Sequence, residues 1–312
     1  MIRVGVDVGG TGIQVGAVDK DLNIVARGQI TTHIDIPFAL QVNLIANCVR
    51  ETLEGAGLSM DDLEAVGVGI PGIASSTGEV IKCTNMNWHH VPFREEFNRH
   101  IDKPVFIEND ANVAALAESV AGISAGSQSS VFITLGTGIG SGIIINGKIW
   151  SGAHGIGGEL GHTILRLDGE PCTCGNHGCL ERYCSATALI RMAREEVHHH
   201  NESLILKAAD GDPININARI VIDAARQDDP IAVLVYKRYI SYLSQAIANV
   251  INFLDPEIIV LGGGVSRAGA FLLDPIRKEF PKYVLFRDQP MARVELATLS
   301  ADAGIIGAAM LS

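Results

Sequence analysis

Residues 2 to 8 alternate around valine, a period of two that reads as a buried strand. The chain then turns through Asp7-Val8-Gly9-Gly10-Thr11-Gly12 and becomes apolar again from Ile13 to Val18. Asp19 to Asn23 reads as a turn and Ile24 to Ile30 as a third strand, so the pattern predicts an antiparallel meander. Apolar positions recur at helical spacing from Pro37 to Gly55. Ala65 to Ile70 is a strand that stops at Pro71-Gly72. The next stretch, Thr84-Asn85-Met86-Asn87-Trp88, is polar, and its tryptophan is read as exposed. Arg94 to His100 reads as a short helix. Pro104 to Ile107 is a strand that delivers Glu108-Asn109-Asp110 to an alanine-rich helix, Ala111 to Ala121.

Gly122 to Ser129 is small and polar, which marks a candidate domain junction. Val131 to Leu135 is a strand, followed by Gly136-Thr137-Gly138-Ile139-Gly140-Ser141-Gly142 and a strand from Ile143 to Ile145. This repeats the opening order of strand, Gly-Thr turn, strand. Farther on, Ser185 is placed to cap a helix from Ala186 to Val197, and His198-His199-His200 reads as its solvated end. Ala218 to Arg226 and Pro230 to Ile251 are helices; the second carries Tyr236, Tyr239 and Tyr242, a stripe for the core or for an oligomer interface. Asp255-Pro256 breaks it. A strand from Glu257 to Leu261 runs into Gly262-Gly263-Gly264-Val265-Ser266. A helix near Ala270 to Phe280, a strand at Val294 to Leu296 and a small-residue helix at Ala303 to Met310 close the chain.

The 312 residues suggest two domains or one large one, and 47% apolar content supplies a sizeable core. A net charge of −11 without a dense Lys/Arg cluster argues against nucleic acid or an anionic membrane as partner. Aromatics at 5% argue against stacking platforms for single strands. The first residues enter a strand directly, so no signal peptide is expected. No apolar run nears the roughly 18 residues that span a bilayer. A cytoplasmic protein is expected, with Cys48, Cys83 and Cys184 as small core residues.

Three places carry candidate chemistry. In each Gly-Thr turn, Gly9-Gly10-Thr11-Gly12 and Gly136-Thr137-Gly138, backbone N–H groups and a hydroxyl can approach phosphate oxygens. Asp7, at a strand end, is of the type that holds a Mg²⁺ shell. Each turn alone could be an ordinary hairpin; two of them suggest a duplicated fold that clamps a polyphosphate. Gly263 and Gly264 allow close approach to a flat ligand such as a nucleoside, or form a tight strand-helix turn. Asn109 and Asp110 lie where α/β proteins place ligands, yet either could simply be a helix N-cap. The third place is Cys172-Thr173-Cys174 with Cys179 and His162, three thiolates and an imidazole that make a closed tetrahedral set for structural Zn²⁺. Gly175 and Gly178 would supply turns with positive φ. The alternative is a loop of free thiols or disulfides. Glu159 and Glu181 bracket the loop and are read as free to bind something else.

Together, Asp7 to Thr11, Glu108-Asn109-Asp110, the run from Leu135 to His162, the cysteine cluster with Glu181, and Asp255 to Ser266 resemble the ROK family of sugar kinases, in the style of its bacterial glucokinases. Gln14 stands where many relatives have lysine, and Gly12 where a polar or basic residue is frequent. The resemblance implies an α/β fold of two actin-like (ribonuclease H-like) domains enclosing a cleft, with a small zinc loop at 162–181. It implies an N-terminal domain of 1–122 plus 300–312 and a C-terminal domain of 123–299. It also implies ATP, Mg²⁺ and Zn²⁺ as cofactors and transfer of the γ-phosphate to the 6-hydroxyl of a hexose, with glucose the expected acceptor. Asp110 looks like the general base. Gly72, Asn109, Asp110, Glu159, His162 and Glu181 would bind the sugar, and Asp7, Gly9, Gly10, Thr11, Gly12, Gly136, Thr137, Gly138, Gly263 and Gly264 the nucleotide. Other acceptors are fructose, allose, mannose, N-acetylglucosamine and N-acetylmannosamine. A homo-oligomer, dimer or tetramer, follows the family tendency. A ROK sugar-responsive regulator is the rival from another class; it needs a helix-turn-helix ahead of the first turn, for which the opening strand leaves no room.

Overall fold

The computed structural model describes residues 1–200 and 202–312. Contacts divide the chain into two compact units. The first is Met1–Gln128, Gly142–Gly158 and Thr298–Ser312; the second is Ser129–Ser141 and Glu159–Ala297.

In the first unit, β1 (Ile2–Val8), β2 (Gly12–Val18) and β3 (Ile24–Thr31) form the antiparallel meander that the alternation predicts. Helix α1 (Phe38–Gly55) turns its apolar face inward through Val42, Ile45, Ala46 and Val49. Strand β4 (Leu63–Ile70) lies parallel to β1. A small sheet of β5 (Ile73–Ala74), β6 (Val80–Cys83) and β7 (Trp88–Val91) follows, then α2 (Phe93–Asn98). Strand β8 (Val105–Asn109) adds parallel to β4, and its end runs into α3 (Asp110–Ala121). The sheet order is β3-β2-β1-β4-β8.

Trp88 corrects one expectation. It is 1% exposed, not exposed. Its ring meets Phe38 edge-on at 5.7 Å and Phe93 at 5.5 Å, and its indole N–H donates to Gln41 Oε1. The polar residues around it turn outward while the ring anchors the small sheet, a segregation that a local count of polarity misses.

The second sheet has the order β11-β10-β9-β12-β13, with β9 (Ser129–Leu135), β10 (Ile139–Ile145), β11 (Lys148–Ile149), β12 (Ile258–Gly262) and β13 (Arg293–Leu296). As in the first sheet, strands joined by a short Gly-Thr turn are extended by parallel neighbours, here β12 on β9 and β13 on β12. The helices of the second unit are α4 (Glu181–Cys184), α5 (Ala186–Val197), α6 (Leu204–Ala208), α7 (Ala218–Arg226), α8 (Pro230–Leu254) and α9 (Ala270–Glu279). Ser185 caps α5, its hydroxyl accepting from Ala188 N–H at 3.0 Å. Asp229 caps α8, accepting from Ala232 N–H at 2.8 Å, and Asp255 ends it in a left-handed conformation with φ 46°. Tyr236 and Tyr239 of the tyrosine stripe are buried, and Tyr242 packs on Tyr183 at 4.9 Å. Among the described residues, no helix is long and apolar enough to cross a membrane.

The last helix, α10 (Ala303–Ala309), returns to the first unit. Two glycines let it lie directly on that sheet: a Cβ at Gly5 would sit 1.9 Å from the Ile305 carbonyl, and one at Gly67 1.7 Å from that of Ala308. Glu118 of α3 is fully buried and closes the corner that joins α3 to the returning chain. Its carboxylate accepts from Ile123 N–H, from the N–H and hydroxyl of Thr298, and from Leu299 N–H, at 2.9 to 3.1 Å. A buried carboxylate is tolerable when its lone pairs are filled in this way.

Candidate functional site

In the first unit the functional residues gather at the carboxyl ends of β1, β4 and β8. Asn109 is the N-cap of α3: its side-chain oxygen accepts from Ala111 N–H at 2.9 Å and Asn112 N–H at 3.2 Å. Its amide also donates to the Gly72 carbonyl at 3.1 Å. Glu108 braces the junction from behind, accepting from Asn109 N–H at 2.8 Å and from the Asn112 amide at 3.0 Å. The capping role weighed for Asn109 is therefore real, and it fixes where the next residue points. Asp110 is the first helical residue and is exposed, with Oδ1 accepting from Ala111 N–H at 2.8 Å.

Gly72 and Asn109 are brought together, and β6 crosses close to both. A Cβ at Gly72 would meet the Lys82 carbonyl at 2.2 Å and Cys83 Cα at 2.9 Å. Burial pushes the Cys83 thiol up to about 11, and the nearby Asp110 charge adds to the shift. Cys83 is thus a core residue, as expected, but also a neighbour of Asp110, which its apolar setting in the sequence gave no sign of.

The first Gly-Thr turn closes with Gly9 N–H donating to the Gly12 carbonyl at 3.0 Å. Thr32 pins it from outside, its hydroxyl donating to the Gly9 carbonyl at 2.7 Å. Gly10 and Thr11 at the tip are exposed. Asp7 sits below the turn, paired in register with Gln14, and burial raises its carboxyl pKa.

In the second unit the matching turn closes with Gly136 N–H donating to the Gly138 carbonyl at 3.1 Å. The Thr187 hydroxyl holds it by donating to the Thr137 carbonyl at 2.7 Å. Glu181 has a structural partner in the hairpin. Its Oε2 accepts from Ile139 N–H at 2.9 Å, and a Cβ at Gly138 would lie 2.3 Å from that oxygen. The carboxylate is built into the hairpin, because α4 starts where the β9–β10 turn ends. Glu159 is exposed just before the single helical turn Leu160–His162. The Ser141 hydroxyl accepts from Leu160 N–H at 3.2 Å and fixes that turn. Gly263, with φ 84°, and Gly264 are exposed beyond β12; a Cβ at Gly263 would lie 2.7 Å from Leu135 N.

His162, Cys172, Cys174 and Cys179 converge, their ligand atoms all within 4.8 Å of one another. Cys174 Sγ and Cys179 Sγ are 3.6 Å apart, far from a disulfide, and Cys172 Sγ lies 3.7 Å from His162 Nδ1. Zn–S bonds of about 2.3 Å in a tetrahedron set ligand edges of about 3.8 Å, so donor types and spacing fit zinc. The Asn176 backbone N–H lowers the Cys174 thiol pKa, in the direction a thiolate ligand needs. Gly175 and Gly178 have φ of 96° and 74°, as the turns between cysteines demand. The loop is held by backbone bonds, among them Leu165 N–H to the Gly178 carbonyl, Cys172 N–H to that of Asn176 and Gly178 N–H to that of Glu170, each at 2.8 Å, and by the isolated bridges Ile164↔Cys179 and Pro171↔His177.

Two sheets of one design, each with a glycine-threonine turn over its strand ends, define a two-domain actin-like kinase fold. The ROK family model matches residues 3–312, and the chain belongs to the ROK family. It is 41% identical over 310 residues to a glucokinase of Halalkalibacterium halodurans, covering 99% of this chain and 94% of that protein. A ROK family glucokinase from Streptomyces griseus, solved with glucose and AMPPNP, superposes with a TM-score of 0.82 at 35% identity, covering 99% of this chain and 98% of that one. A xylose repressor of Caldicellulosiruptor bescii is 27% identical over 267 residues, which is 85% of this chain but 66% of the repressor.

Proposed function

We propose that this protein is an ATP-dependent kinase that transfers the γ-phosphoryl group to the 6-hydroxyl of glucose. The observation that carries the reading is the exposed carboxylate of Asp110, fixed on a capped helix start in a chain that aligns end to end with glucokinases. Asp110 takes the proton of the acceptor hydroxyl as the oxygen attacks phosphorus, and ADP leaves. The backbone N–H groups of Gly9 to Gly12 and Gly136 to Gly138, with Thr11 and Thr137, receive the phosphate oxygens and offset the charge that develops there. Gly263 and Gly264 lie against the nucleoside. Asn109, Gly72, Glu159, His162 and Glu181 bind the remaining sugar hydroxyls; one Glu181 oxygen stays on Ile139 N–H and holds the other in place. Asp7 would hold Mg²⁺, which would supply screening of the phosphate charge. Zn²⁺ would be held by His162 and the three thiolates as a structural ion. His162 turns Nδ1 toward the cysteines, which leaves Nε2 for a sugar hydroxyl.

A homo-oligomer, dimer or tetramer, and a cytoplasmic location belong to the same proposal. The test is a coupled ADP-release assay over glucose, mannose, fructose, allose, N-acetylglucosamine and N-acetylmannosamine. The highest kcat/KM is expected for glucose. A higher value for another sugar replaces the acceptor, and no ADP release with any of them overturns the kinase reading.

A further inference from the structure

One group near the phosphate turn has no part in the assignments above. Asn85 lies in the short turn Thr84–Met86 between β6 and β7. Its side chain reaches over the first Gly-Thr turn: the amide nitrogen is 3.7 Å, and Cβ and Cγ are 3.9 Å, from where a Cβ on Gly10 would stand. Among the described residues, no hydrogen bond is made by that amide. The turn that carries it is well fixed. Backbone N–H groups of Asn85 and Met86 are bonded to Cys83, and Asn87 closes the turn in a left-handed conformation with φ 56°. Trp88 is buried just beyond. Cys83, in turn, stands beside Asp110 and against Gly72. The amide of Asn85 is therefore presented to the phosphate turn by a short turn whose preceding residue, Cys83, adjoins the candidate base.

We infer that Asn85 is a further catalytic residue, whose amide N–H donates to the phosphoryl group in transit. The inference rests on the kinase reading. Transfer from donor to acceptor carries the phosphoryl oxygens from the Gly-Thr turn toward Asp110; the amide reaches over that turn, two residues from the Cys83 that adjoins Asp110. A neutral donor suits this place. It binds equatorial oxygens without pairing permanently with Asp110, as a lysine would. A preorganised donor of this kind contributes more to the transition state than to either bound substrate.

The test uses Asn85→Ala and Asn85→Asp beside the wild type, with kcat, KM for glucose, KM for ATP, and inhibition by ADP with aluminium fluoride, a planar phosphoryl mimic. In Asn85→Ala, kcat is expected to fall about 100-fold, as when one preorganised donor to a developing charge is removed. Both KM values should stay within about 2-fold, because uniform binding is untouched. Fluoride-complex inhibition should weaken about 10-fold or more. Asn85→Asp should be slower still, since it places a carboxylate against phosphate oxygens. A kcat within about 3-fold of wild type overturns the inference. A rise in KM for glucose at unchanged kcat also overturns it and makes Asn85 a sugar ligand. Exposure of the side chain keeps folding out of the comparison, and equal melting temperatures verify that. A wild type that transfers phosphate to no sugar overturns the kinase reading and this inference with it, whereas an active wild type with an equally active Asn85→Ala overturns this inference alone.

Discussion

The β8–α3 junction and the cysteine loop do the same job, holding a few polar side chains in fixed directions, by different means. At the junction the backbone does it. Asn109 satisfies two N–H groups of the helix start and ties itself to the Gly72 carbonyl, and Glu108 binds Asn109 from the other side. Asp110 takes its direction from its place at the helix start, where Oδ1 accepts from Ala111 N–H at 2.8 Å. In the loop around His162 backbone bonds such as Cys172 N–H to the Asn176 carbonyl and Gly178 N–H to the Glu170 carbonyl, both 2.8 Å, set the turns, and what converges there is four side chains whose donor atoms lie within 4.8 Å of one another. The junction fixes its side chains by hydrogen bonds made directly to them; in the loop hydrogen bonds fix the backbone, and a metal held by the four side chains would add its binding free energy to the folding of that segment.

The comparison breaks most severely at Asp110. In Asp110→Asn the side-chain oxygen can still accept from Ala111 N–H, so the helix start survives while the base is lost. The expected outcome is a fall in kcat of about 10²–10⁴-fold or more with an unchanged melting temperature, measured by the coupled assay and circular dichroism. Near-wild-type turnover removes Asp110 as base. The loop should fail differently. Cys174→Ser is expected to cost the metal, read as about one equivalent of zinc lost by elemental analysis, and activity falls as a consequence. Glucose affinity should drop with it, because His162 loses the ion that orients its ring. If the metal-free variant binds glucose as the wild type does, the positioning role of the metal fails.

Much of this contrast could be read from residue order. The strand-to-helix change after Ile107 put Asn109 and Asp110 at a sheet's carboxyl end, and the cysteine spacing with its two glycines announced a tetrahedral site. Both are local signals. The misreadings are tertiary. Trp88 sits among polar neighbours in sequence but fills a pocket made by Phe38 and Phe93, which no local window contains. The bond from Ile139 N–H to Glu181 leaves no local sign, because the two residues lie far apart along the chain. Cys83 passes for a small apolar residue, and its nearness to Asp110 arises only when β6 crosses Gly72. Hydrophobic period yields elements and glycine spacing yields turns; what a polar atom is bonded to depends on which elements the fold brings side by side.

The mildest prediction concerns the cost of the hydrogen-bonded kind of site, and it lies at Asp7. Burial raises its carboxyl pKa above 3.8 in the folded chain. From that ordinary value up to the raised one, the folded state holds more proton than the unfolded chain, so stability declines as pH rises through the window. Above the window the full cost of keeping Asp7 ionised is present, and at neutral pH the folded protein carries it. Asp7→Asn removes the charge and preserves the shape. The melting temperature at pH 7 is expected to rise by about 2–4 °C for each kcal/mol recovered, and the gain should shrink as pH is lowered through the raised value toward the ordinary 3.8, the window in which the wild-type carboxyl takes up its proton. Activity should fall in the same variant, since a charge kept buried against stability is kept for its ligand. Differential scanning calorimetry of both proteins across that pH range decides it. A variant destabilised at pH 7 would mean that the Asp7 carboxylate is held by favourable partners, and the first Gly-Thr turn would then be stabilised by its acid, as the cysteine loop would be by zinc.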